Sequence, residues 1–123
     1  MHTKILGLRT TMYLVSDMAA AKAWYSKIFE TEPYFDTPYY IGYNIAGYEL
    51  GLHPAETDTK KGDNILTYWG VSDVDAAYNR MVALGATEHQ KPNNVGGEIV
   101  VASVKDAWGN IIGIIFNPEF QLP

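Results

Sequence analysis

The chain contains no cysteine. That excludes disulfides, thiol catalysis and thiolate metal sites, and fits a cytosolic location. Positive charge is sparse as well, with nine Lys and Arg against fourteen Asp and Glu and a net charge of −5. The cations are scattered and form no basic stripe, so nucleic acid is not an expected partner. Mild acidity serves solubility first and leans towards neutral or cationic small partners second. Long apolar runs are missing too. The longest, Ile111 to Phe116, is far below the roughly 18 residues a membrane span requires. The first residues lead directly into a strand-like run carrying Arg9, with no secretory pattern. No membrane partner is expected, and the cytoplasm is the expected compartment.

Aromatic residues are abundant. Nine tyrosines stand against four phenylalanines and three tryptophans. A surplus of Tyr over Phe suits a cavity wall that is apolar yet offers hydrogen-bonding groups. With 123 residues the chain is expected to form a single domain over 1–123, because neither half alone is long enough for a substantial core.

The sequence also repeats itself. Ser16-Asp17-Met18 opens an apolar-periodic helix, and Ser72-Asp73-Val74 opens another 56 positions on. Gly47-Tyr48-Glu49-Leu50-Gly51-Leu52 is echoed 62 positions on by Gly109-Asn110-Ile111-Ile112-Gly113-Ile114. In the first half, Ile5 to Val15 reads as a strand. Ser16 or Asp17 caps a helix with Ala21, Trp24, Tyr25 and Ile28 on one face, ending near Glu30. Tyr34-Phe35, Tyr39 to Ile45 and Tyr48 to His53 read as three strands, with turns at Asp36-Thr37-Pro38 and Ala46-Gly47. Pro54 to Asn64 is a polar connector. Ile65 to Val71 then reads as a strand, followed by a helix with Val74, Ala77, Met81 and Leu84 on one face. Gly85 sits at its left-handed stop. A short strand at Ala86-Thr87 and a loop rich in Asn, Gly and Pro lead to strands Ile99 to Lys105 and Asn110 to Phe116. The turn Asp106-Ala107-Trp108-Gly109 joins these last two. Each half thus reads β-α-β-β-β: a first module over about 5–53, a linker over 54–64 and a second module over about 65–118.

This duplicated pattern resembles the vicinal oxygen chelate superfamily, which includes glyoxalase I, bleomycin-resistance proteins and extradiol dioxygenases. The resemblance rests on Tyr13-Leu14-Val15-Ser16-Asp17 followed by Trp24-Tyr25, and on Trp69-Gly70-Val71-Ser72-Asp73-Val74. Leu84-Gly85-Ala86 and Asp106-Ala107-Trp108-Gly109-Asn110 complete it, with Ala107 where the family usually has Pro. It implies an α+β fold of two tandem βαβββ modules whose curved sheets enclose a cavity. It also implies a symmetric homodimer.

In metal-dependent members four His or Glu side chains enter the cavity from the first and last strand of each half. The resemblance places these positions at Thr10, at Gly51 or Glu49, at Leu66 and at Gly113. Leu and Gly have no ligating side chain and Thr is a poor ligand for transition metals, so no metal site and no cofactor are expected. Alternation puts residues 49, 51 and 53 on one strand face under either alignment. Glu49 is the candidate catalytic base or anchor. Thr10, Met12, Glu49, Gly51, His53, Tyr68, Trp108 and Gly113 are the candidate ligand-binding residues. Trp108 reads either as a lid or as a clamp on a helix. Tyr39, Tyr40 and Tyr43 read either as cavity lining or as dimer contact. Trp24, Tyr25 and Trp69 read as structural, and His2 and His89, in a tail and a loop, as bystanders. The function expected is binding of a small molecule in a metal-free cavity, for sequestration or resistance. The alternative is a glyoxalase-type lyase or isomerase with Glu49 as base.

Overall fold

The computed structural model describes residues 4–56, 60–62 and 64–120. The chain divides into two compact units, 1–57 and 58–123, and the division falls inside the expected connector. None of the described helices is long and apolar enough to cross a membrane.

The first unit runs β1 (Thr10–Val15), α1 (Met18–Ile28), β2 (Phe35–Asp36), β3 (Ile41–Ile45) and β4 (Tyr48–Pro54). Its sheet has the order β1-β4-β3-β2, with β1 and β4 parallel and the other pairs antiparallel. Asp17 turns the chain from strand into helix: its side chain accepts the Ala20 N–H at 3.0 Å, satisfying one orphan donor of the first turn. The β3–β4 hairpin turns on Ala46 and Gly47, both at positive φ, while Asn44 Oδ1 accepts the Gly47 N–H at 2.8 Å. One sheet face packs on α1. Tyr13 stacks on Tyr25 with ring centroids 5.7 Å apart, and the Tyr43 hydroxyl donates to the Lys22 carbonyl at 3.1 Å. Val15, Leu50 and Leu52 are fully buried on that side. The odd-numbered residues of β1 and β3 therefore face the helix. Thr10, Met12, Gly42, Glu49, Gly51 and His53 face the other way.

The second unit runs β5 (Tyr68–Gly70), α2 (Val74–Ala83), β6 (Thr87–Gly96), β7 (Ile99–Lys105) and β8 (Ile111–Phe116). Its sheet order, β5-β8-β7-β6, copies that of the first. Register copies it as well: Met12 pairs with Gly51 in one unit, and Tyr68 pairs with Gly113 at the corresponding place in the other. Asp73 caps α2 as Asp17 caps α1. Gly85 closes α2 at φ 108°, with the Gly85 N–H on the Val82 carbonyl and the Ala86 N–H on that of Met81. Val74, Tyr78 and Met81 are buried with Ala102, Val104, Ile112 and Ile114, so the helix side of this sheet is also its apolar core.

Several elements depart from the sequence expectation. The strand expected from Ile5 begins only at Thr10, and Ile5, Leu6 and Leu8 are exposed. The strand expected from Ile65 begins at Tyr68, so Leu66 precedes the strand instead of occupying it. The short strand at Ala86-Thr87 is in fact ten residues long. It lies at the sheet edge, where Pro92 is tolerated, and three register shifts hid its alternation. Tyr78, absent from the expected helix face, is buried and donates through its hydroxyl to Glu88 at 2.9 Å.

Candidate functional site

On the face of the first sheet away from α1, three side chains converge on Glu49. Thr10, its register partner on β1, donates to Oε1 at 2.8 Å. Tyr34, just before β2, donates its phenolic hydrogen to Oε2. Tyr40, at the entry to β3, is a third hydroxyl bonded to the same carboxylate. Two glycines make room for this cluster. Gly42 and Gly51 lie opposite one another on β3 and β4. A Cβ on Gly51 would stand 2.2 Å from the Tyr40 hydroxyl oxygen, and one on Gly42 would stand 2.9 Å from Glu49 Oε2 and 3.2 Å from the Tyr34 ring. The two tyrosines thus lie across bare backbone, the close approach that only glycine permits.

Three donors stabilise the charged form of Glu49. The bonds from Tyr34 and Thr10, with a smaller share from Tyr40, hold its pKa below the usual carboxylate value against a modest opposing effect of burial. The tyrosines move the other way. Tyr34 is raised mainly by its bond to Glu49, and Tyr40 is pushed up to about 12, by burial first and by Glu49 second. At neutral pH the cluster is one carboxylate anion held by neutral hydroxyls. Glu49→Gln is expected to bring the Tyr34 ionisation down towards its ordinary value. Spectrophotometric titration of the phenolate band in Glu49→Gln against Glu49→Gln/Tyr34→Phe checks this, and an unmoved Tyr34 would contradict the geometry.

The other expected residues divide. Met12 and His53 share the Glu49 face; Met12 is half exposed, and His53 is exposed with Nδ1 3.0 Å from its own neighbour's carbonyl, that of Pro54. Glu49 and His53 are four positions apart on β4, about 13 Å along an extended chain, so the two act apart. The tyrosine trio separates too. Tyr40 joins the site, Tyr43 is fully buried under α1, and Tyr39 is exposed. Tyr34 was missed as a site residue, since nothing local distinguishes it from any other strand-edge tyrosine.

In the second unit, Tyr68 and Gly113 are partners on the face away from α2. The Tyr68 ring lies over Gly113, where a Cβ would meet the Thr67 carbonyl at 2.6 Å and Tyr68 Cδ1 at 2.7 Å. His89 is not in a loop: it lies on β6 with Nδ1 2.7 Å from Oγ of Ser103, a fully buried hydroxyl. A polar residue inside the apolar run 99–104 was the available signal for Ser103. His2 lies outside the described residues. A cavity of about 430 Å³ opens beside this pair of strands, lined by Tyr68, Gln90, Lys91, Asn93, Val95 and Val101. Trp108 is half-buried in the β7–β8 turn, its N–H bonded to the buried Asp106 carboxylate at 2.9 Å.

Residues 7–114 match the family described as the Glyoxalase/Bleomycin resistance protein/Dioxygenase superfamily. The chain belongs to this superfamily. Among curated proteins none matches. Solved members of the glyoxalase fold do. A glyoxalase-related enzyme from Fulvimarina pelagi superposes with a TM-score of 0.79 at 20% identity, over 97% of this chain and 94% of that one. A genomically encoded fosfomycin resistance protein from Listeria monocytogenes, complexed with Mn(II) and sulfate, superposes at 0.78 with 19% identity over 94% of each chain. At such identities the likeness concerns fold.

The metal that many superfamily members carry does not fit the residues present. Thr10 spends its hydroxyl on Glu49, Leu66 offers no donor, and Gly113 lies under the Tyr68 ring. Gly51, the counterpart of Gly113 in register, lies under Tyr40. Among the described residues no three His, Cys, Asp or Glu side chains gather to hold an ion.

Proposed function

We propose that this superfamily member binds a small organic molecule without a protein-held metal, and that the Glu49 face of its first unit supplies part of the binding surface. The observation that carries this reading is the carboxylate fixed by Thr10, Tyr34 and Tyr40 above two glycines. Such preorganisation holds a recognition group in place before a ligand arrives, so less ordering is left for the binding step. Sequestration or resistance would follow from binding alone. The alternative, a lyase or isomerase with Glu49 as base, is less well supported. A carboxylate whose pKa is held low is a weaker base, and general-base catalysis favours one tuned up towards the working pH.

A thermal-shift screen of aromatic and cationic compounds is expected to give stabilising hits that persist unchanged in excess chelator. Hits that appear only once a divalent ion is supplied would overturn the reading.

A further inference from the structure

We propose that the ligand group received at Glu49 is an alkylated organic cation of the trimethylammonium kind, held between this carboxylate and the rings of Tyr34, Phe35 and Tyr40. The proposal rests on the binding role given above and names the chemistry it selects.

Among the described residues no cation is seen to pair with the Glu49 carboxylate. Every donor it is seen to receive is an uncharged hydroxyl. On this unit Lys22 pairs with Asp36, and Arg9 turns back on its own backbone, donating to the Leu6 carbonyl at 2.6 Å. A carboxylate that is partly buried and ionised yet paired with no cation is a standing electrostatic invitation to one.

The rings beside it sharpen the choice. Phe35 neighbours both tyrosines, its centroid 6.5 Å from that of Tyr34 and 6.2 Å from that of Tyr40. The ring planes are tilted by 48° and 52°. Tyr34 is 65% and Phe35 47% exposed, so this stepped aromatic wall remains open to solvent. Aromatic faces attract cations through the ring quadrupole, and several rings around one charge form the cage that recognises quaternary ammonium groups.

Hydrogen-bond inventory then separates alkylated from unalkylated cations. Tyr34 and Tyr40 direct their hydrogens at Glu49, leaving lone pairs and ring faces for a ligand. An incoming carboxylate or phosphate would find no donor on these four side chains. A carboxylate offers about four lone-pair sites and three are already taken. A primary ammonium or guanidinium, with several N–H groups, would find few free acceptors here and keep most of them on water, away from the rings, whereas a trimethylammonium has none to satisfy and can rest its methyl groups on the rings.

Calorimetric titration of the full chain with choline, and with its neutral carbon isostere carrying tert-butyl in place of trimethylammonium, tests the assignment. Choline is expected to bind at least about tenfold more tightly than the isostere, with charge and ring contributions combined. Glu49→Gln is expected to abolish most of that preference. Phe35→Leu, at an exposed position outside the carboxylate's hydrogen bonds, is expected to weaken choline several-fold while leaving the melting temperature unchanged. Equal affinity for the two probes, or a preference unaltered in folded Glu49→Gln, would overturn the proposal. If neither probe binds while the compound screen still gives chelator-insensitive hits, the cation assignment falls and the binding role stands. If the screen is empty as well, both fall.

Discussion

Replacing Gly113 with alanine is expected to destabilise the protein by about 1–3 kcal/mol, the usual range for forcing a methyl group into a packed site. The new Cβ would meet the Thr67 carbonyl oxygen at 2.6 Å and the Tyr68 ring at 2.7 Å. The ring could swing aside, but the carbonyl belongs to the backbone. It also accepts the Gly113 N–H at 3.0 Å, so moving it pulls on the β5–β8 pairing. The entropy gained by removing a glycine from the unfolded chain, about 0.4–1 kcal/mol, offsets only part of this. Gly113→Glu, which restores a carboxylate at the expected fourth ligand position, is expected to cost more still and to bind no metal. Chemical denaturation of both variants, with elemental analysis of Gly113→Glu, checks the pair. A stable Gly113→Glu protein that carries stoichiometric metal would show that the position still accepts a ligand.

Asp106→Ala is expected to cost about 2–4 kcal/mol. The Asp106 carboxylate is 4% exposed and accepts the Trp108 N–H at 2.9 Å, the Asn110 N–H at 2.8 Å and Asn110 Nδ2 at 2.8 Å. Hydrogen bonds to a charged acceptor contribute about 1.5–3 kcal/mol each, and their removal is only partly compensated when water enters. The Asp106 N–H on the Asn110 carbonyl would remain, so the turn should loosen without opening. Asp106→Asn keeps one acceptor and is expected to lose roughly half as much. Urea melts of the two variants, followed by Trp fluorescence, give both numbers. Equal stability of Asp106→Ala and the parent chain would contradict the role assigned to this turn.

How much of this could be read beforehand varies with the physics involved. The helices were legible because Asp17 and Asp73 are N-caps in front of apolar periodicity, and Gly85 is a left-handed stop. The face of Glu49 was legible from alternation alone, which ties residues 49, 51 and 53 together before any pairing is known. The same parity divides Tyr40 from Tyr43 across the sheet. The partners of Glu49 were not legible. Tyr34 reaches it from across β3, through a pairing that brings the Tyr34 N–H to the Gly42 carbonyl, and no spacing in the sequence encodes that. β6 was missed for another reason. Its register shifts break the two-residue period, and Pro92 and the adjacent asparagines imitate a loop. The late start of the first strand reflects pairing again: Thr10 is the first residue with a β4 partner, and apolar character alone cannot supply one.

The two tyrosine-covered glycines are alike in backbone and unlike in cover. Gly51 and Gly113 occupy the same register position in the two units, but their covers come from different places. Tyr68 belongs to the strand that pairs with Gly113, where the first unit has Met12. Tyr40 comes from the far side, at the entry to β3. The likeness of the two sheets therefore extends to backbone register and stops at the side chains: each unit covers its bare glycine with a ring from a different strand, so changing one cover leaves the other untouched.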